Sequence, residues 1–371
     1  RSTRARNHLS QTHRVPPFAV CISEQFSVAP RYDIVNRIQP NRGVVMRTIR
    51  AAQLLFAIGI LAINFSASFA QDPDLVRHFD YDQKAPLNIK PLGVQRRATA
   101  TVYNIAYDSP RGGVVPAYLV VPKGRGPFAA VIWGHWYWQN SSMRNRRQFL
   151  EEAIVLAQAG VVSLLTDGPI ARPGHIESKD PLDERVATDF LQQVIDMRRG
   201  VDVLVARRDV NPRRIAFVGH SYNAGVGALL SGLDRRFKCF VLMAGLMSDE
   251  ITQQTKDFQD FRRQVGPDKL DALIAKYAYL DQGKYVSHAA PAVVLLQFSN
   301  QEKSMPPELE RRHAAIVSEP KQVKFYDAPH ALNAEARRDR IQFLIEQLKL
   351  KPLPEAVIAS IPNLYQPPDP Q

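Results

Sequence analysis

Cysteine is scarce in this chain of 371 residues, which contains only Cys21 and Cys239. Two cysteines cannot form the dense disulfide framework of a small secreted domain. No His-x-x-x-His pair lies in a predicted helix, and no dinucleotide-binding glycine pattern follows a predicted strand. The sequence therefore predicts neither a bound metal nor an organic cofactor.

Positive charge is abundant only at one end of the chain. The formal net charge is +12, and nine arginines against Glu24 and Asp33 give residues 1–50 a net charge of +7. Residues 71–371 carry the remaining +5, with both signs interspersed and no basic stripe. A nucleic-acid-binding surface needs such a stripe, so we expect no nucleic-acid partner.

The region before residue 71 has the pattern of an export signal. A basic segment, an apolar run and small residues follow one another: Met46–Arg50, Leu54–Phe65, and Ser68 with Ala70. This order is typical of a secretory signal peptide, so we expect residues 46–70 to be removed and the mature chain to begin at Gln71. An uncleaved membrane anchor is the alternative, because residues 51–70 are uncharged and long enough to span a bilayer.

The predicted organisation follows from these patterns. It comprises a disordered or untranslated leader (1–45), the signal peptide (46–70), an N-terminal extension (71–97), one α/β domain (98–350) and a proline-rich tail (351–371). The expected location is secreted or periplasmic, without stable membrane anchoring after cleavage.

Short apolar runs alternate with amphipathic helical segments from residue 98 to residue 350. This alternation predicts an α/β fold with a mostly parallel sheet and helices on both faces. Residues 247–288 interrupt the rhythm and predict a small helical insertion. In such folds the active site lies at the carboxyl ends of the strands.

The segment Ile215–Gly225 carries the strongest catalytic pattern. A buried strand leads into Gly219-His-Ser221-Tyr-Asn223, and a helix follows at once. This context predicts a nucleophile elbow with Ser221 at its tip. Asn223 occupies the fifth position of the motif, where glycine is usual. The alternative interpretation is a serine that only caps the helix.

A serine nucleophile requires a base, and His330 lies where chain order predicts it, between the last strand and the last helix. His220 precedes the nucleophile, and we expect its side chain to point away from Ser221 and to be structural.

The acid that orients the base is predicted to be Glu302, in the loop after the strand over residues 293–298. The alternative is Asp249, which follows the preceding strand.

The loop Gly134–Trp138 is predicted to complete the site. An oxyanion hole on this fold combines the amide after the nucleophile, that of Tyr222, with one from this loop. Trp136 or Tyr137 is the expected second donor, and we expect His135 and its aromatic neighbours to line the substrate pocket.

Together, the elbow Gly219–Asn223, the loop Gly134–Trp138 and the Glu302 and His330 loops resemble α/β-hydrolases of the dienelactone-hydrolase-like and acyl-esterase group. The resemblance covers residues 98–350 and implies an α/β-hydrolase fold with a Ser221–Glu302–His330 triad. The chain departs from this pattern at Asn223, and by carrying serine where dienelactone hydrolases proper use cysteine.

The resemblance favours a serine esterase that cleaves small carboxylic esters through an acyl-serine intermediate, and the signal-peptide pattern favours its secretion. A peptidase or amidase with the same triad and a non-catalytic binding protein on the same fold remain the alternatives.

Overall fold

A computed structural model describes residues 72–138, 140–302 and 304–366 of the chain. The predicted leader and signal peptide lie outside these residues. Within the described part of the chain, no helix is both long and apolar enough to cross a membrane.

The described residues contain one sheet of nine strands in the order β1-β2-β3-β5-β4-β6-β7-β8-β9. The strands are β1 (Lys90–Arg96), β2 (Ala100–Asp108), β3 (Val114–Pro122), β4 (Phe128–Gly134), β5 (Val161–Thr166), β6 (Val210–His220), β7 (Phe237–Met243), β8 (Val293–Ser299) and β9 (Lys321–Tyr326). Strands β1 to β3 are antiparallel, β5 pairs antiparallel with β3, and the pairs from β5 to β9 are parallel. The predicted mostly parallel sheet is confirmed.

Eleven α-helices occur in the described residues. They are α1 (Pro73–Val76), α2 (Leu150–Leu156), α3 (Arg185–Val205), α4 (Tyr222–Leu233), α5 (Asp249–Thr252), α6 (Lys256–Val265), α7 (Pro267–Lys276), α8 (Gly283–Val286), α9 (Pro307–Ala315), α10 (Ala334–Leu348) and α11 (Glu355–Ala359). Helices α3 and α4 pack on one face of the sheet, whereas α2 and α10 pack on the other.

Strand β6 shows how the sheet supports two cores. Ile215 and Phe217 belong to the core under α3 and α4, while Ala216 and Val218 belong to the core under α2 and α10. Successive side chains of a strand point to opposite faces. A strand covered on both faces therefore carries an unbroken apolar run, as this one does.

Two terminal segments differ from expectation. Residues 90–96 showed no strand pattern, yet they form edge strand β1, in which every residue is exposed. A proline-rich tail is typically extended and exposed, yet this one contains α11 and buries Ile358 and Ile361 in the core beneath α10. Strand β1 is held by antiparallel pairing with the next strand, β2, and α11 packs against the preceding helix, α10.

The interruption between β7 and β8 is helical, as predicted. Helices α5 to α8 lie there, and Phe258, Phe261 and Leu270 of α6 and α7 form a small apolar cluster of their own. The insertion follows the carboxyl end of β7, and its residues Ser248 and Gln254 are hydrogen-bonded to His313 and Arg312 of α9, the helix that follows β8.

Candidate active site

Ser221 occupies a strained turn between β6 and α4. Its φ and ψ are 55° and −115°, a backbone conformation that residues other than glycine rarely adopt. The Ser221 amide donates to the carbonyl oxygen of Met243 at the end of β7, 2.7 Å away. At Gly219 an added Cβ would lie 2.1 Å from the Asn223 carbonyl oxygen. The turn therefore has the close backbone approach of a nucleophile elbow.

Asn223 is accommodated in the elbow by a glycine on another strand. A Cβ added at Gly134 would lie 2.4 Å from Cβ of Asn223, so the space for Asn223 exists because β4 ends in glycine. The side-chain amide of Asn223 donates through Nδ2 to the His135 carbonyl oxygen at 2.6 Å, and the side-chain amide of Gln193 donates to Asn223 Oδ1 at 2.9 Å. The unusual asparagine thus joins the elbow to the loop Gly134–Trp138.

His330 and Glu302 are brought together from two different loops. His330 follows β9, Glu302 follows β8, and His330 Nδ1 lies 2.6 Å from Glu302 Oε2. The carboxylate only accepts hydrogen bonds when ionised, so Nδ1 carries the proton and Nε2 carries the lone pair in neutral imidazole. The ring is 2 % exposed, and this burial limits how far it can reorient.

A second histidine, His220, supports the backbone of His330. His220 Nε2 donates to the His330 carbonyl oxygen at 2.8 Å, and Gln148 donates to His220 Nδ1 at 2.6 Å. Burial, with His330 nearby, holds the pKa of His220 well below its usual value. A neutral, doubly hydrogen-bonded His220 is structural, as the sequence analysis expects.

The indole ring of Trp138 packs against the imidazole ring of His330, and the two ring centroids are 4.9 Å apart. Trp136 is farther, at 6.2 Å and nearly parallel. These rings add to the packing that fixes the orientation of the imidazole.

Asp249, the alternative acid, lies elsewhere. It begins α5, and its amide donates to Asp281 Oδ1 at 3.0 Å. Burial and the neighbouring Asp281 raise the pKa of Asp249 to about 7. His330 Nδ1 donates its hydrogen bond to Glu302 instead, so the geometry favours Glu302 as the orienting acid.

The loop Gly134–Trp138 is arranged differently from the expectation. The Trp136 amide donates to Gln148 Oε1 at 2.6 Å, so Tyr137 is the better placed of the two candidate oxyanion donors. His135 is 1 % exposed and hydrogen-bonded at both ring nitrogens, to the Trp136 carbonyl and the Gly168 amide. His135 and Trp136 therefore support the loop from beneath, rather than line the pocket as predicted.

A cavity of about 50 Å³ opens beside Ser221. Residues from the elbow, from the loops after β4, β7 and β8 and from α9 line it, including Tyr137, Tyr222, Glu302 and Glu310. Glu310 was not predicted as a site residue, because it is one glutamate among several charged residues of α9. A usable signal is the face Glu310, His313 and Ala314, whose i, i+3, i+4 spacing places them together on the side of α9 that is buried.

No group of three or more His, Cys, Asp or Glu side chains within residues 72–138, 140–302 and 304–366 is arranged to bind a metal ion. Cys239 of β7 is fully buried, and burial raises the pKa of its thiol.

No protein-family model and no curated protein matches the sequence of this chain. Among solved structures, an acetyl xylan esterase from Paenibacillus sp. R4 is similar, with 19 % identity, a TM-score of 0.59, and coverage of 76 % of this chain and 96 % of that one. Acetyl xylan esterase 1 from Thermoanaerobacterium sp. JW/SL YS485 gives 16 % identity, a TM-score of 0.59, and coverage of 76 % and 95 %.

A glucuronoyl esterase from Solibacter usitatus is also similar, with 14 % identity, a TM-score of 0.53, and coverage of 74 % of this chain and 91 % of that one. At these identities the likeness concerns the fold. It agrees with the mostly parallel sheet and its flanking helices. The chain has the α/β-hydrolase fold.

Proposed function

We propose that this protein is a secreted or periplasmic serine hydrolase that cleaves small carboxylic esters through an acyl-serine intermediate. The observation that carries the proposal is the 2.6 Å hydrogen bond between Glu302 and His330 at the edge of the sheet where the Ser221 turn lies. The three solved structures reported above are named as esterases, which supports ester hydrolysis.

In the proposed reaction, the Ser221 hydroxyl attacks the ester carbonyl carbon while His330 Nε2 accepts its proton. The resulting imidazolium returns that proton to the departing alcohol, which leaves an acyl group bonded to Ser221. Water then attacks this acyl-enzyme with the same proton transfers and releases the acid. Glu302 accepts from Nδ1–H throughout and stabilises the imidazolium.

The negative charge that develops on the carbonyl oxygen needs preorganised donors. The Tyr222 amide begins α4, and the first amides of a helix have no partner within it. The Tyr137 amide is the proposed second donor. Asn223 supports this arrangement, since it ties the loop that carries Tyr137 to the elbow that carries Tyr222.

Export is proposed from the signal-peptide pattern over residues 46–70, and the exported protein is expected to begin at Gln71 when its N-terminus is sequenced. A chain that retains residues 46–70 would favour the membrane anchor instead.

The proposed activity is tested with 4-nitrophenyl esters of increasing acyl length and with a 4-nitroanilide of the shortest acid. Ser221→Ala is expected to lower ester turnover by roughly 10⁴-fold while the thermal midpoint is retained. Ser231→Ala, on the same helix α4, is the matched control and should keep most of the activity. Faster cleavage of the anilide than of the ester would favour the peptidase or amidase alternative.

A further inference from the structure

The proposed base, His330, lies in a tight turn between β9 and α10. The Leu332 amide donates to the Pro329 carbonyl oxygen at 2.8 Å, so residues 329–332 form a β-turn with His330 and Ala331 at its two central positions. Leu332 has a φ of 61°, a left-handed conformation that residues other than glycine rarely adopt. Because such a conformation persists only where the surroundings hold it, the position of His330 depends on contacts from outside the turn.

The peptide group between His330 and Ala331 lies at the centre of this turn, and the hydrogen bond that closes the turn does not include it. Type I and type II turns differ mainly in the orientation of this central group. Its carbonyl oxygen accepts from His220 Nε2 at 2.8 Å, and its amide N–H donates to Gln366 Oε1 at 2.9 Å. Two side chains from distant parts of the chain therefore hold the two ends of one peptide group.

The two side chains come from opposite ends of the fold's sequence. His220 directly precedes Ser221, so its hydrogen bond joins the turn to the elbow of the proposed nucleophile. Gln366 belongs to the proline-rich tail, which follows α10 and returns to the turn from which that helix begins. The tail thus contacts the backbone of the proposed base, although the proposed mechanism assigns it no role.

The tail is anchored to the domain before it reaches the turn. Ile358 and Ile361 are buried in the core beneath α10. Arg337 of α10, which is 5 % exposed, donates through Nη1 to Asn363 Oδ1 at 3.0 Å. These contacts fix the chain up to three residues before Gln366, so the side chain of Gln366 needs little further ordering to reach the Ala331 amide.

We propose that Gln366 is a positioning residue for His330, and that the tail fixes the turn that carries the imidazole. This inference rests on the proposed function. In each proton transfer His330 must keep Nδ1 on Glu302 while Nε2 serves Ser221, and a displacement of about 1 Å can lower a rate substantially. Gln366 acts through the backbone of the turn and does not contact the reacting atoms.

Loss of the Gln366 side chain should cost rate rather than stability. A cavity of about 320 Å³ lies beside the turn and the tail, lined by Ala331, Leu332 and Asn363 among others. This volume is far larger than one water molecule requires, so water can pair with the freed Ala331 amide. Water satisfies that amide without fixing the orientation of the peptide group.

The test uses full-length Gln366→Ala with 4-nitrophenyl acetate at pH 8, where a neutral imidazole is available. We expect kcat to fall by about 3- to 10-fold, the range for one hydrogen bond between uncharged groups, with KM nearly unchanged. Each kcat is divided by the fraction of protein that a fluorophosphonate labels. That fraction and the thermal midpoint should match those of the wild type.

Two further variants separate the hydrogen bond from the volume of the side chain. Gln366→Glu keeps an acceptor oxygen at the same reach and should restore most of kcat, whereas Gln366→Asn is one methylene shorter and should behave like Gln366→Ala. Tyr365→Ala is the matched control, because Tyr365 is the preceding residue and is 73 % exposed. It should leave kcat unchanged.

An undiminished kcat in Gln366→Ala, or an equal loss in Gln366→Glu, would overturn the proposal. A thermal midpoint that falls together with the labelled fraction would also overturn it, because the tail would then only stabilise the fold. The wild type decides the proposed function separately: if it hydrolyses the ester, only the variants bear on Gln366, and if it hydrolyses no ester, the proposed function and this inference are both wrong.

Discussion

At the scale of single residues, the proposed site depends on one carboxylate in contact with one imidazole. If Glu302 orients His330, Glu302→Gln should lower kcat by roughly 10²–10⁴-fold, because the amide neither stabilises the imidazolium nor selects the tautomer. Asp249→Asn should cost little, since Asp249 contacts Asp281 rather than His330. Steady-state kinetics of both variants checks this. A large loss of kcat in Asp249→Asn, together with an unchanged kcat in Glu302→Gln, would reverse the assignment.

The buried Glu310 predicts how stability changes with pH. Its pKa is raised from 4.5 to about 9 in the folded protein, so between these values the folded state holds a proton that the unfolded state has released. Unfolding releases this proton, and the stability contributed by Glu310 therefore falls as pH rises, by at most about 1.4 kcal/mol per pH unit.

Glu310→Gln lacks this titration. The thermal midpoint of Glu310→Gln minus that of the wild type should increase steadily from pH 5 to pH 9. The same difference for Glu308→Gln, at an exposed position of the same helix, should stay constant. A constant difference for Glu310→Gln would mean that Glu310 is ionised in the folded state.

At the scale of elements, the site depends on how the elbow is joined to the loop after β4. Asn223→Gly restores the usual elbow residue but leaves the His135 carbonyl and the buried Gln193 without partners. We expect a loss of about 1–3 kcal/mol in stability, and a fall in kcat larger than any change in KM, because the loop would hold Tyr137 less firmly.

Gln193→Met keeps the volume and removes the donor to Asn223 Oδ1 together with Gln193 Oε1, which has no partner among the described residues, so its effect should have the same direction and be smaller. Urea unfolding and kcat measurements test both variants. An Asn223→Gly enzyme with undiminished kcat would show that the link does not support catalysis.

Elements with strong patterns were predictable, and elements defined by their neighbours were not. Strand β6 was recognised from its apolar run, although it begins at Val210, where pairing with Phe128 extends it. Strand β1 was missed because an edge strand with all residues exposed needs no hydrophobic alternation. The burial of Ile358 and Ile361 was not predicted, because helix α11 is too short to give a periodic apolar pattern within a proline-rich segment.

At the scale of the whole molecule, the order of strands and helices along the chain predicted the fold class and the edge of the sheet that carries the site. Chain order also pointed to Glu302 and His330, because loops after neighbouring parallel strands meet at one edge. The inward positions of His135 and Trp136, and the cavity with Glu310, depend on which atoms pack together across the sheet. Spacing along one chain does not contain that information.

The central claim is that Ser221 is an activated nucleophile, and covalent labelling tests it most directly. The purified protein is treated with a fluorophosphonate, and the modified residue is located by peptide mass spectrometry. The account predicts one adduct on Ser221, its absence in Ser221→Ala, and strongly slowed labelling in His330→Ala, because the hydroxyl reacts only when a base removes its proton. A folded protein that is not labelled, or one labelled at another serine, would contradict the claim.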